Sequence, residues 1–151
     1  MRDFAAPLAA PGPGPGFTAH FNALWATAPT SGPSFLANQA HQSVTASASG
    51  GLFELASNDD TLTAGAGTDI FALLTTAVGN DTISGFNTGS DMLDFSAVDH
   101  SGGWSAGTTA AAILAGATSV GGNTVFTLDG HDTITLQGVA IGSLTAANFH
   151  V

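Results

Sequence analysis

Eleven acidic residues share this 151-residue chain with a single Arg2 and no lysine, and ten of the eleven fall between Glu54 and Asp132. Carboxylates with no basic partner either face water and repel one another or gather around a cation, and a hard cation such as calcium takes oxygen ligands of this type. Their spacing is regular. Asn58-x-Asp60-x-Leu62 is followed nine residues later by Gly67-x-Asp69-x-Phe71, and the same five-residue cell returns as Gly79-x-Asp81-x-Ile83, Gly89-x-Asp91-x-Leu93 and Gly130-x-Asp132-x-Ile134. In each cell glycine, or asparagine in the first, tolerates the positive φ of a tight turn. The carboxylate two residues on can accept turn amides or bind a cation, and the apolar residue after it opens a strand with its side chain inward.

Turn, acid and inward apolar residue at a near-constant period describe a chain winding in coils. Short strands are expected at Thr61–Thr63, Ile70–Ala72, Thr82–Ser84 and Met92–Phe95, with Leu62, Phe71, Ile83 and Leu93 as the inward stack. Alternation from Ser43 to Glu54 points to a strand entering the coils. Thr108–Ala115 reads as a short alanine-rich helix capped by Thr108 or Thr109 and ended by Gly116. Asp129-Gly130 between 124–128 and 132–136 is a hairpin signal, and Ser143–Asn148 suits one helical turn. All six prolines lie at or before Pro33, which leaves the backbone N–H groups of the rest available to a ladder.

The first third differs. Pro11–Gly16 alternates proline and glycine, so residues 1–16 read as an extended linker. Phe17, Phe21, Leu24, Trp25 and Ala28 recur at three- and four-residue spacing, the pattern of a short amphipathic helix over 17–28. That uncharged aromatic face can pack on its own domain or dock on a neighbouring molecule, and Phe17, Phe21, Leu24 and Trp25 are the candidate self-association residues. The expected division is a linker over 1–16, a helix and extended arm over 17–50, and a coil domain over 51–151.

Composition excludes several classes. The formal charge of −10 gives nucleic acid and anionic membranes no basic footprint. Without cysteine there are no disulfides, thiol catalysis or cysteine zinc sites, in keeping with a bacterial extracellular protein or with chance. Mean hydropathy is +0.30, but it comes mainly from alanine, and no apolar run reaches the roughly 18 residues of a membrane helix. No basic n-region followed by an apolar h-region opens the chain, so export would be directed by something other than a cleavable leader. Gly103-Trp104-Ser105-Ala106-Gly107 fits G-x-S-x-G, with Asp129 and His131 following in order. The apolar strand that must lead into such an elbow is missing, because Val98-Asp-His-Ser-Gly-Gly103 precedes it. H-E-x-x-H is absent too, so the expectation is that the chain is no enzyme.

Taken together, these residues resemble a known family. Ala64-Gly65-Ala66-Gly67-Thr68-Asp69-Ile70-Phe71-Ala72 is similar to the nonapeptide G-G-x-G-x-D-x-U-x of RTX calcium-binding proteins. The segments after it resemble, in order, the C-terminal region of RTX proteins and serralysin-type proteases: Gly79–Ile83, Gly85-Phe86, Asp91–Ser96, Asn123–Gly130, Asp132–Val139 and Leu144–Phe149. The resemblance covers roughly Leu52 to Val151. It implies a mainly β fold, a short parallel β-roll or β-solenoid with a C-terminal hairpin and one or two short helices. It also implies calcium between successive turns and export by a type I secretion system reading an uncleaved C-terminal signal. As candidate metal positions it implies Asp60 and Asp69, the sixth residues of two adjacent repeats, with Gly65 and Gly67 of the second, and Asp81 and Asp91, which match acids in the segment after the repeats. Leu55, Ala56 and Asn58 replace glycine in the first repeat and Ala64 does so in the second, and only two repeats are adjacent. One or two calcium ions therefore compete with a roll held by apolar stacking and turn hydrogen bonds alone. On this reading the chain is a secreted, non-catalytic subunit of a surface layer, matrix or filament. The alternatives are a small carbohydrate-binding module using Trp104, or the secretion and folding tail of a larger exoprotein.

Overall fold

A run of three to six residues that alternates inward and outward can bury one face and must find a partner for each edge. The computed structural model describes residues 34–37, 42–46, 48–55, 59–73, 78–97, 109–128 and 131–151, and builds them from such runs. In chain order the strands are β1 (Ser34–Ala37), β2 (Ser43–Thr45), β3 (Gly50–Leu55), β4 (Thr61–Thr63), β5 (Thr68–Leu73), β6 (Asn80–Ser84) and β7 (Met92–Asp94). Helix α1 (Ala110–Gly116) comes next, then β8 (Thr118–Val120), β9 (Asn123–Thr127) and β10 (Thr133–Gln137). Two 3-10 turns, Ile141–Ser143 and Ala146–Asn148, lead to β11 (Phe149–His150).

Successive strands alternate between two sheets. The first has the order β1-β3-β5-β7-β11, and the second β2-β4-β6-β10-β9-β8. Ser34 faces Leu52 and Leu52 faces Ile70, an advance of 18 residues per coil, which is two of the nine-residue cells. The parallel register lengthens to 21 residues between Thr61 and Thr82 and to 22 between Ile70 and Met92. Leu62, Phe71, Ile83 and Leu93 are fully buried between the sheets, as expected of the inward stack. Phe53 stacks on Phe71 with ring centroids 4.9 Å apart and planes 13° from parallel. Each side chain of this kind contributes roughly 1.5 to 3 kcal/mol on full burial.

The structure differs from the sequence expectation in several places. The strands begin at Ser34, upstream of residue 51, because β1 and β2 pair in register with β3 and β4. Their coil carries Gln42 where the next carries Asp60, so it lacks the acidic signature. The hairpin strands are present as β9 and β10, yet β10 also lies parallel to β6, and β8 adds a third antiparallel strand. Between β7 and β10 the chain thus leaves the coil path, builds α1 and the β8–β9 pair, and returns. The alanine-rich helix starts at Ala110, capped by the Thr109 hydroxyl, which accepts the Ala112 N–H at 3.2 Å, and it includes Gly116. The turn expected over 143–148 resolves into 3-10 turns and a strand that continues the first sheet beside β7. The linker over 1–16, the helix over 17–28 and the hairpin tip Asp129-Gly130 lie outside the described residues.

Glycine also works differently from expectation in two cells. Gly79 has the left-handed φ of 84°, but neither Gly67 nor Gly89 adopts a positive φ. Gly67 is needed instead because the coil before it passes at backbone contact: a Cβ there would overlap the backbone of Ser49 and Gly50. Gly67→Ala is therefore expected to destabilise the fold by about 1–3 kcal/mol, the usual cost of overpacking. Gly116→Ala, where a Cβ meets nothing within 4 Å, should be neutral or stabilising by up to about 1 kcal/mol. Paired thermal melts of the two variants check the contrast.

Candidate functional site

A turn that enters a strand leaves amide N–H groups with no ladder partner, and a carboxylate just inside the strand can accept them. Asp69 Oδ2 accepts the Gly65 N–H at 2.6 Å, and Asp91 Oδ2 accepts the Asn87 N–H at 2.8 Å, each closing its own turn four residues back. Asp91 Oδ1 then reaches the preceding coil and accepts the Asp69 N–H at 3.0 Å, with the Ser90 hydroxyl at 3.1 Å. On the opposite side of the roll Asp60 Oδ1 accepts the Gln42 N–H at 2.7 Å, and Asp81 Oδ1 accepts the Asp60 N–H at 2.8 Å. A carboxylate of one coil thus binds the backbone of the coil before it. Asp59, exposed, repeats the theme in reverse by accepting the Asn80 N–H at 2.8 Å.

The six sequence-matched metal positions are accordingly split. Asp60 and Asp81 stand where the chain passes from the first sheet to the second, while Gly65, Gly67, Asp69 and Asp91 stand where it passes back. All four aspartates are buried. Burial pushes the Asp69 carboxyl above its ordinary value; the Gly65 N–H opposes this, the charge of Asp91 adds to it, and the Gly51 N–H opposes it again. Asp81 is pushed up to about 7, first by burial, against the pull of the Asp60 N–H, and then by the charges of Asp60, Asp59 and Asp132.

Among the described residues no group of three or more acidic or histidine side chains converges on one point. A calcium ion takes six to eight oxygens, so each side would have to add turn carbonyls and water to its pair of acids. The side with Asp69 and Asp91 fits better. Among the described residues Asp69 Oδ1 is buried and makes no well-formed hydrogen bond, and its carboxylate lies close to the Gly51 N–H and to a second carboxylate, Asp91. A buried carboxylate oxygen without a well-formed hydrogen bond costs free energy that a cation removes.

Sequence reasoning missed two residues that complete this end of the roll. Asn148 Nδ2 donates to the Thr88 and Asp91 carbonyls at 2.9 and 3.1 Å, clamping the last 3-10 turn onto the Asp91 turn. The Thr145-x-x-Asn148 capping box was its one signal. Asp94, also buried, lies 3.1 Å from His150 Nδ1, a contact made only because β11 returns beside β7. The G-x-S-x-G stretch 103–107, Asp129 and the aromatic residues Phe17, Phe21, Leu24, Trp25 and Trp104 lie outside the described residues.

No protein-family model and no curated protein sequence matches the chain. A solved structure does: the extracellular lipase LipA from Serratia marcescens, at a TM-score of 0.52 and 22% sequence identity, over 77% of this chain and 20% of the lipase chain. That likeness shows a shared fold, mainly β and mostly parallel. This chain corresponds to about a fifth of the lipase's length.

The raised carboxyls give a pH dependence with a definite sign. A carboxyl whose folded value lies above its unfolded value, as Asp81 does at about 7 against 3.8, favours the folded state most when protonated. Its contribution is therefore full below pH 4 and is lost as pH rises through 7. Without divalent cations the protein is expected to melt at higher temperature near pH 5 than near pH 8. Asp81→Asn keeps an acceptor for the Asp60 N–H and removes the charge, so its stabilising effect should be about 1–3 kcal/mol larger at pH 8 than at pH 5. Melts of both proteins at the two pH values in chelator test this.

Proposed function

We propose that the chain is a non-catalytic, secreted, calcium-binding RTX-like protein that serves as an extracellular structural subunit, exported by type I secretion. The observation that carries assembly is that both sheets begin in one coil: β1 and β2 stand at the outer positions of their sheets. Two strand edges at the same end, with no described strand beside either, form a template for another chain. Calcium would be held by Asp69 and Asp91 with turn carbonyls, where Asp69 Oδ1 makes no well-formed hydrogen bond among the described residues. It would supply the positive charge that a chain without lysine cannot, stiffening the turns and so the edges they present. Export from the cell is supported by the fold shared with an extracellular lipase and by the RTX-like motifs. The likeness covers only 20% of the lipase chain, so the lipase's activity is not carried over to this chain.

Size-exclusion chromatography with light scattering, in chelator and in about millimolar calcium, the range of weak extracellular sites, tests the reading. Ordered assemblies in calcium, visible by electron microscopy and reduced by Ser43→Lys with Thr45→Lys on β2, are the expected result. A monomer at every protein concentration in calcium would sink the structural role. Asp69→Asn with Asp91→Asn should weaken calcium binding by about tenfold or more in calorimetric titration, since affinity follows ligand charge. Unchanged calcium affinity would move the ion away from these turns.

A further inference from the structure

The outward face of the second sheet is a lattice of hydroxyls. Ser43, Thr61, Thr82 and Thr135 align by register across β2, β4, β6 and β10, and Thr45, Thr63, Ser84 and Gln137 align two residues further along the same strands. Seven of these eight positions are Ser or Thr, and all eight are exposed or half-exposed. The residues between them, Val44, Leu62, Ile83 and Leu136, point the other way and pack in or against the core.

Threonine suits any solvated strand, so hydroxyls alone decide nothing. Two further features set this face apart. The first is charge: in a chain with eleven acids, no Asp, Glu, Lys, Arg or His holds an outward position on β2, β4, β6, β10, β9 or β8. The second is rigidity. Thr63 Oγ1 and Ser84 Oγ share a hydrogen bond of 3.2 Å across neighbouring strands, Ser84 Oγ lies 3.3 Å from the Leu62 carbonyl, and Thr133 Oγ1 donates to Asn80 Oδ1 at 2.9 Å. Side-chain ladders of this kind keep stacked strands flat, and they fix the hydroxyls before anything binds.

We propose that this face binds ice, the hydroxyl columns of β2, β4, β6 and β10 standing in register with the oxygens of an ice surface. The spacings agree. Hydrogen-bonded oxygens lie about 2.75 Å apart, so in a tetrahedral water lattice second neighbours are about 4.5 Å apart and the hexagonal axis repeats about every 7.3 Å. Neighbouring strands lie about 4.8 Å apart, and outward residues two apart on one strand are separated by about 6.7 Å. Both directions match to within about a tenth. The chemistry agrees as well. A hydroxyl donates and accepts as a lattice water does, and the threonine methyl beside it binds no water of its own. A charged group would keep a hydration shell in the way, and none stands here. One such contact gains little over liquid water, but a fixed array engages the lattice at many points at once. The inference concerns the face of one sheet and leaves assembly to the edges, so it stands or falls independently of the proposed function.

Nanolitre osmometry on the full chain in about millimolar calcium tests this by ice-crystal shape and by the gap between melting and freezing points. Faceted crystals and a freezing point held below the melting point are the expected result. Thr63→Lys, in the middle of the lattice, should abolish both. So should Thr61→Tyr, which obstructs the face without adding charge and keeps a strong strand former. Ala111→Lys, on an exposed position of α1, makes the same charge change away from the sheet and should leave both effects intact. Round crystals with no gap in the unsubstituted chain overturn the proposal whatever the variants do. Activity that survives both face variants, or that is lost equally in Ala111→Lys, also overturns it. If ice is unaffected while Thr63→Lys abolishes calcium-dependent assembly, the face belongs to a second copy. If Thr63→Lys instead abolishes retention on an insoluble polysaccharide, the face belongs to a sugar, and either result overturns the proposal. The ice readout does not require association, so it separates this inference from the structural role.

Discussion

The interaction on which the rest depends is the reciprocal bond between neighbouring coils. The Thr61 N–H donates to the Gln42 carbonyl while the Gln42 N–H donates to Asp60 Oδ1; one coil later the Thr82 N–H donates to the Asp60 carbonyl while the Asp60 N–H donates to Asp81 Oδ1. Each exchange extends the backbone ladder of strands only three to five residues long past their ends. A hydrogen bond to a charged acceptor is worth about 1.5–3 kcal/mol, and the opposing term is the burial of a carboxylate with no basic partner. Strand stacking therefore concentrates acid. The same repeat that joins the coils leaves Asp81 and Asp69 with raised pKa values, and protons or a divalent cation become natural partners of the folded state.

A second constraint acts at the far end, where an open pair of sheets must be closed. The excursion between β7 and β10 does this without breaking the winding, since β10 still pairs with β6 and β11 still pairs with β7. Phe95, Phe126 and Phe149, drawn from three separate parts of the chain, meet with ring centroids 5.7 to 6.3 Å apart and plug the space between the sheets. Such a cap is what stacked repeats require at an end that is not to propagate. The opposite end, at β1 and β2, has no such plug among the described residues, and that difference gives the molecule its polarity.

Much of this was legible in the residues. The five-residue cell places its apolar member inward wherever it is described: Leu62, Phe71, Ile83, Leu93 and Ile134 are all fully buried. The hairpin strands and the capped alanine helix were legible because their signals are local, a turn dipeptide in one and a hydroxyl before an apolar run in the other. The first coil was not, because Gln42 stands where the next coil places Asp60. Strand β11 was not legible either, since two residues carry no periodicity and acquire their conformation from Leu93 and Asp94 across the sheet.

For the site, the sequence by itself determined which residues are acidic, that no lysine neutralises them, and that Asp60, Asp69, Asp81 and Asp91 each open a strand, because composition and local turn geometry are enough to set these. Only the tertiary structure decided how they are grouped. A nine-residue step carries the chain from one sheet to the other, so neighbouring motifs fall on opposite sides of the roll, and Asp60 meets Asp81 rather than Asp69. Which residue lies 18 to 22 positions away across a coil depends on the length of every turn between, and only the folded register sums those lengths. The Asp94–His150 contact and the Asn148 clamp have the same origin, because residues 56 and 57 apart become neighbours only once the excursion has closed and β11 has docked.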